Sequence, residues 1–216
     1  MSAPGRRRAV RGRLMLLAAA LAATGCSGML MQTKPAAVLY GLSPRPGVRG
    51  PAVEADLKIL PALVPAGIDS DRIAAVYPDG HVDHFAASRW SAPLARTIGD
   101  LAVAEFLARS GLRNVVPDES TLQPRFWIEI EVVSFAARYD GPGAPTVEVH
   151  CVARVGDNES RGALARIEVR ESRTAADNRM GPIVAAFDAA ATAALERIVT
   201  RTDRVIAGRL ARPAGG

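Results

Sequence analysis

Three consecutive segments with a strict two-residue alternation constrain this chain most. In residues 125–137, Phe126, Ile128, Ile130 and Val132 alternate with Trp127, Glu129, Glu131 and Val133. In residues 146–155, Val147, Val149, Cys151, Ala153 and Val155 alternate with Glu148, His150 and Arg154. In residues 163–171, Ala165, Ile167 and Val169 alternate with Arg166, Glu168 and Arg170. A period of two puts one set of side chains on each face of a strand, so each segment predicts a strand with one buried and one polar face. Turn formers separate them, Asp140-Gly141-Pro142-Gly143 and Gly156-Asp157-Asn158. The expected arrangement is an antiparallel meander.

The other periodic segments fill out this core. Residues 37–42, 53–63 and 112–116 predict shorter strands. Residues 73–77 and 81–85 flank Pro78-Asp79-Gly80 and predict a hairpin, because Pro presets φ and Gly accepts positive φ. A helix is expected after Trp90, with Ser91 as its cap, Pro93 in its first turn and Gly111 at its end. Leu94, Ile98, Leu101, Ala102 and Phe106 form its apolar face. A longer helix is expected over residues 182–210, with Phe187, Ala191, Ala194, Leu195, Ile198, Val205 and Ile206 as its stripe. The predicted fold class is α+β: a mixed, mostly antiparallel sheet with two main helices packed on one face.

The N-terminus has a different character. Arg6, Arg7, Arg8, Arg11 and Arg13 precede an uncharged apolar run of about ten residues, roughly half of what a membrane-spanning helix needs. Ala23-Thr24-Gly25-Cys26-Ser27 follows. Basic, apolar and small residues in that order are a secretory signal, and the small residues before Cys26 resemble a lipobox, with Ala23 where Leu is commonest. The reading is a lipoprotein signal at 1–25, lipidation of Cys26, a tether at 26–35, one periplasmic domain at 36–211 and a disordered tail at 212–216. A plain signal peptide cleaved elsewhere is the alternative. The chain's formal charge of +5 is carried by those five arginines; the rest balances at 22 basic and 22 acidic residues. No basic stripe remains for nucleic acid. The only other cysteine is Cys151, read as a small buried thiol, with a Cys26–Cys151 disulfide as the competing reading.

Catalytic constellations are not evident. His81-Val82-Asp83-His84 places His81 and Asp83 on one strand face and His84 on the other, which is poor geometry for one metal ion. Glu129 and Glu131 imitate a carboxylate pair but read as a solvated strand face, and His150 reads likewise. No nucleophile elbow, phosphate loop or dinucleotide fingerprint occurs. The expectation is a non-enzymatic protein without catalytic residues, metal or cofactor. Trp90 reads first as an apolar staple onto the following helix, and second as a contact for a partner or an apolar ligand.

The order of these features resembles a known family. A lipobox precedes Tyr40-Gly41-Leu42, then Leu57-Lys58-Ile59-Leu60-Pro61, then Asp71-Arg72-Ile73-Ala74 before the hairpin, then Arg89-Trp90-Ser91-Ala92-Pro93-Leu94 opening a helix. This is similar to the ABC-type transport auxiliary lipoproteins, which include the lipoprotein of paraquat-inducible operons, over about residues 26–210. The resemblance implies a periplasmic protein of a Gram-negative bacterium, anchored to the outer membrane. Its implied partners are an MCE-domain protein and an ABC permease and ATPase that move lipids or other apolar compounds. Membrane contact would come through the lipid on Cys26, and a homo-oligomer is left open. Only Cys26 carries over as a family site residue. Ser27, not Asp, follows it, which implies outer-membrane sorting. The alternative is a stand-alone lipoprotein that itself binds a small apolar ligand.

Overall fold

The structure is a computed structural model and describes residues 36–212. The signal, Cys26, the tether and residues 213–216 of the tail lie outside the described residues. The elements run β1 (Val38–Tyr40), β2 (Val53–Ile59), β3 (Arg72–Val76), β4 (Val82–Trp90), α1 (Leu94–Arg109), β5 (Leu112–Pro117), β6 (Phe126–Arg138), β7 (Thr146–Asp157), β8 (Gly162–Thr174) and α2 (Met180–Leu210).

The class is α+β, with both helices on one face of a mixed sheet. The expected meander β6–β7–β8 is present and antiparallel, and β3–β4 is the expected hairpin, with Gly80 at φ 83° in its turn. The pairings β1–β4, β2–β5, β2–β6 and β3–β6 are parallel. The sheet is therefore more evenly mixed than expected. Parallel neighbours require long crossovers between strands distant in sequence, and alternation within a strand does not reveal them.

β6 is the spine. One of its edges is filled by β7. The other is shared: β2 pairs at Phe126–Ile128, and β3 pairs at Ala137 and Arg138. Between them the chain after β2 stays beside β6, with Leu60 N–H donating to the Ile128 carbonyl (2.9 Å) and Leu63 N–H to that of Ile130 (2.8 Å). The alternation of β6 changes phase once. Val132 faces Cys151, but Phe135 faces Val149 and Ala137 faces Val147, so a bulge lies between Val132 and Ser134. Even-numbered residues point to the helices before it and odd-numbered residues after it. Val133, left over at the bulge, is exposed. A bulge inserts one residue and so flips the facing of everything beyond it.

Phe135 consequently enters the core. It packs against Phe187 of α2 (centroids 4.9 Å) and against Trp90 (5.7 Å), and Trp90 meets Phe187 edge-on (5.2 Å, 87°). Trp90 ends β4, opposite Tyr40 of β1. These three rings join the two sides of the sheet to the long helix. Edge-to-face and offset arrangements are the favoured aromatic geometries. Facing the sheet, α2 presents Ile183, Phe187, Ala190, Ala191, Ala194, Leu195, Ile198 and Ile206, all buried.

The start of α1 differs from the sequence reading. Ser91 does not cap it, and Pro93 stands at the N-cap without a side-chain hydrogen bond. The first free amides are met from the β2–β3 connection. Ala95 N–H donates to Asp69 Oδ1 (3.0 Å), and Leu94 N–H to the Ser70 carbonyl (3.2 Å). The cap is thus supplied by a residue some 25 positions upstream, a tertiary contact that replaces the local motif.

Trp90→Ala is expected to cost about 3–5 kcal/mol, the usual range for truncating a buried aromatic. Trp90→Phe should cost much less. Urea titrations of both variants check this; an unchanged midpoint for the alanine variant would contradict the packing role.

Candidate functional site

The segment between β1 and β2 lies as a strap over the C-terminal end of α1 and along α2. Its Pro44-Arg45-Pro46-Gly47-Val48-Arg49-Gly50-Pro51 sequence has few backbone donors and no apolar periodicity, so its position is set by polar contacts. Ser43 N–H donates to Asp188 Oδ1 (2.9 Å), and the Arg45 guanidinium pairs with Asp188 Oδ2 (3.1 Å). Arg45 N–H donates to Glu105 Oε1 (3.1 Å), and Gly50 N–H to the Arg109 carbonyl (2.7 Å). Glu105 is fully buried and is neutralised by Arg109, which also lies near Glu196. A buried carboxylate needs such a partner.

Asp203 closes the inner end. It accepts from Ser110 Oγ (2.7 Å) and from the Gly111 N–H (2.8 Å), tying α2 to the end of α1. Burial pushes its carboxyl up from the usual range, and the two hydrogen bonds oppose that push. Gly111, expected to end a helix, serves another need. A Cβ there would fall 1.8 Å from the Pro51 carbonyl oxygen, so only glycine lets strap and helix end approach.

Between the strap and α2 runs a groove of about 670 Å³. Pro46, Val48, Pro51, Val53, Val199 and Ala207 give it an apolar surface; Arg109, Glu196, Thr200, Asp203 and Arg204 give it a polar rim. An apolar trough with a few convergent polar groups is the layout of a binding site. The sequence reading did not find it. Its signals were Glu105 and Asp203, acidic residues standing on apolar stripes, four positions after Leu101 and Val199 respectively.

The sequence candidates lie elsewhere. Cys26 is outside the described residues. The Trp90 side chain is 2% exposed and sits within the aromatic cluster, packed on Phe135 and Phe187. Glu129 and Glu131 both hold Arg154 of β7, at 3.0 and 2.8 Å. His150 is not solvated as expected: it is buried between Glu168 (2.9 Å) and Arg170 (3.2 Å). The next strand's long side chains cover it. His81 stacks on Tyr77 (4.4 Å) and bonds Asp79 (2.7 Å), and Tyr77 stacks in turn on Tyr139 (5.2 Å). Cys151 is a buried thiol, and burial pushes its pKa up to about 12.

Asp157 marks the far end of the sheet. It pairs with Arg125 (2.8 Å) and with Arg209 of α2 (3.2 Å). The Arg125 hydrogen bond, set against burial, holds its carboxyl below the usual range.

A family model for the "ABC-type transport auxiliary lipoprotein component" matches residues 40–199. No curated protein matches the chain. In fold, the chain is similar to a crystal structure of a Xanthomonas campestris protein, with TM-score 0.71 at 20% identity over 80% of this chain and 98% of that one. A solved uncharacterized protein gives TM-score 0.57 at 14% identity over 74% and 99%. A hypothetical protein from Chlamydia trachomatis gives 0.52 at 11% over 72% and 99%. At such identities the likeness is one of fold alone.

Two outcomes are expected. Maleimide should label Cys151 only after denaturation, since a buried, protonated thiol is a poor nucleophile; labelling of the native protein within minutes would contradict this. Asp157→Asn should cost about 2 kcal/mol at pH 7, in the range for hydrogen bonds to charged groups. A lowered carboxylate pKa stabilises the fold at neutral pH, and that contribution fades as pH falls through the folded-state value. The gap between wild type and Asp157→Asn should therefore narrow below about pH 4, as read by urea titrations at each pH.

Proposed function

This chain belongs to the ABC-type transport auxiliary lipoprotein family, and from that membership we propose a role for it. It is a periplasmic lipoprotein anchored to the outer membrane through Cys26. It serves, without catalysis of its own, as the auxiliary component of an MCE-type ABC transport system moving lipids or other apolar compounds.

The observation that carries this reading is the family match over residues 40–199, joined to a secretory signal that ends in Cys26. The geometry is compatible with it. The carboxylate pair Glu129/Glu131 is engaged by one arginine. The described domain offers surfaces and a groove for docking. In this role the lipid holds the domain at a membrane surface while the MCE protein and the permease and ATPase act as partners.

Anchoring is the first requirement. Cys26→Ala should abolish incorporation of radioactive palmitate and release the protein from the outer-membrane fraction. Each buried methylene contributes roughly 0.8 kcal/mol, so several chains hold where one would not. The same strain, crosslinked in vivo and purified through this protein, should yield an MCE-domain protein with the wild type and much less of it with Cys26→Ala. Equal solubility of the two proteins, or recovery of no transport component, would overturn the reading.

A further inference from the structure

A second groove, separate from the strap, opens where α1 meets the ends of β2 and β5. Its volume is about 480 Å³, and its apolar lining runs from Ile59 to Ala62 after β2, over Ala95, Gly99 and Val103 of α1, to Pro117 at the end of β5. We propose that this groove docks an amphipathic helix of a protein partner, with small or apolar residues turned into the groove and lysines or arginines along its borders. This rests on the groove itself and not on the transport role, so either can fail without the other.

Gly99 gives the first argument. It stands in the middle of α1, where glycine is a poorer helix former than alanine. At Gly111 the Pro51 carbonyl leaves no room for a side chain, but a Cβ on Gly99 would meet nothing within 4 Å. No contact within the described protein asks for a bare backbone there. Ala95, Gly99 and Val103 follow one another at intervals of four residues and so share one helix face. Small side chains on that face let a second helix approach closely, since interaxial distance is set by the side chains at the contact. From Ala95 to Val103 the face is about 12 Å long, two turns, at 1.5 Å per residue. Leu107, the next residue on this line, is exposed.

Charge gives the second. The charged residues of the groove are Arg96, Asp100, Asp118 and Glu119, three acids to one base. Arg96 is shared by Asp100 (2.8 Å) and Glu119 (3.7 Å). Asp118 has no cation within ion-pairing distance among the described residues. Lys58 does not make up the difference: it alternates onto the other face of β2, and its ammonium donates to the Ser120 carbonyl (3.3 Å). An apolar floor with acidic borders is complementary to a helix with an apolar face and basic flanks. A soluble cation would leave the floor uncovered.

The experiment uses the full lipidated chain in the living cell, with the photoreactive residue p-benzoylphenylalanine in place of Leu107, and sequences the crosslinked peptides by mass spectrometry. One partner segment should recur, with small or apolar residues three and four apart and lysines or arginines beside them. The same photoreactive residue in place of Val133, exposed at the bulge of β6, should not capture it. Made as a synthetic peptide, the segment should bind the purified chain, and exchanging its basic residues for glutamate should weaken binding about tenfold or more. Gly99→Leu should cut capture about tenfold by filling the groove, and Asp118→Lys with Glu119→Lys should do the same by reversing its borders. Asp118 and Glu119 are exposed, so that variant should keep its melting temperature. Gly99→Ala should melt about 1–4 °C higher than wild type, and Gly99→Leu no lower, which separates loss of docking from loss of fold. No captured segment, a segment without basic residues, a second copy of this chain, or capture indifferent to the substitutions would overturn the proposal. So would a peptide whose binding ignores the exchange of its charges.

Discussion

The structure depends on β6 having two occupied edges. A strand of thirteen residues could serve as the end of a three-stranded meander and leave its second edge to solvent, a known liability. Here that edge is divided between β2 and β3, which arrive from different parts of the chain. The bulge at Val133 falls between the two partners. It changes the facing of the strand where the partner changes, and so the buried face continues from Phe126 to Ala137 across a break in the pattern. Without it Phe135 would point to solvent, and the cluster it makes with Trp90 and Phe187 would have no floor.

That cluster explains why two short segments separated in sequence matter together. Asp71-Arg72-Ile73 and Arg89-Trp90-Ser91 are neighbours in the β3–β4 pair, with Arg72 opposite Arg89. The Arg89 guanidinium meets Asp71 Oδ1 (2.7 Å), and the Trp90 N–H donates to the Asp71 carbonyl (2.7 Å). Two residues upstream, Asp69 caps α1. The exposed ion pair contributes little by itself. The backbone bond and the cap fix where the strand stops and the helix begins, which aims Trp90 into the core. On this geometry both segments have a scaffolding part to play.

Much of this was legible in the sequence. The alternation in residues 125–137, 146–155 and 163–171 placed β6, β7 and β8 within a few residues of their ends, because each has one apolar face. Both helices were legible for the same reason. What the sequence did not yield were contacts between distant residues. Ser91 looks like a cap by local rules, yet the amides are met by Asp69. His150 alternates with apolar neighbours and so looks solvated, yet Glu168 and Arg170 of the adjacent strand cover it. The groove was hidden because its strap has no period at all. Its signals, Glu105 and Asp203, are read as signals only once the apolar stripes they interrupt are known to be buried.

Those interruptions follow a rule within this fold. Glu105, Asp157, Glu171 and Asp203 are all buried, and each lies at a seam between elements. Glu105 joins α1 to the strap, Asp157 joins the end of β7 to Arg209 of α2, Glu171 joins β8 to Arg197 of α2, and Asp203 joins α2 to the end of α1. The apolar face of α2 is rich in alanine, and a face of small side chains is nearly flat. Apolar burial holds such a helix against the sheet but sets its axial position weakly, since one alanine row resembles the next. Charged contacts do set it, because a shift of one turn, about 5.4 Å, would strand a buried carboxylate without its partner, at a cost of about 3–5 kcal/mol. Three of the four seams hold α2. The same helix forms one wall of the groove, so the acids that fix its register also fix where Thr200, Arg204 and Ala207 stand beneath the strap.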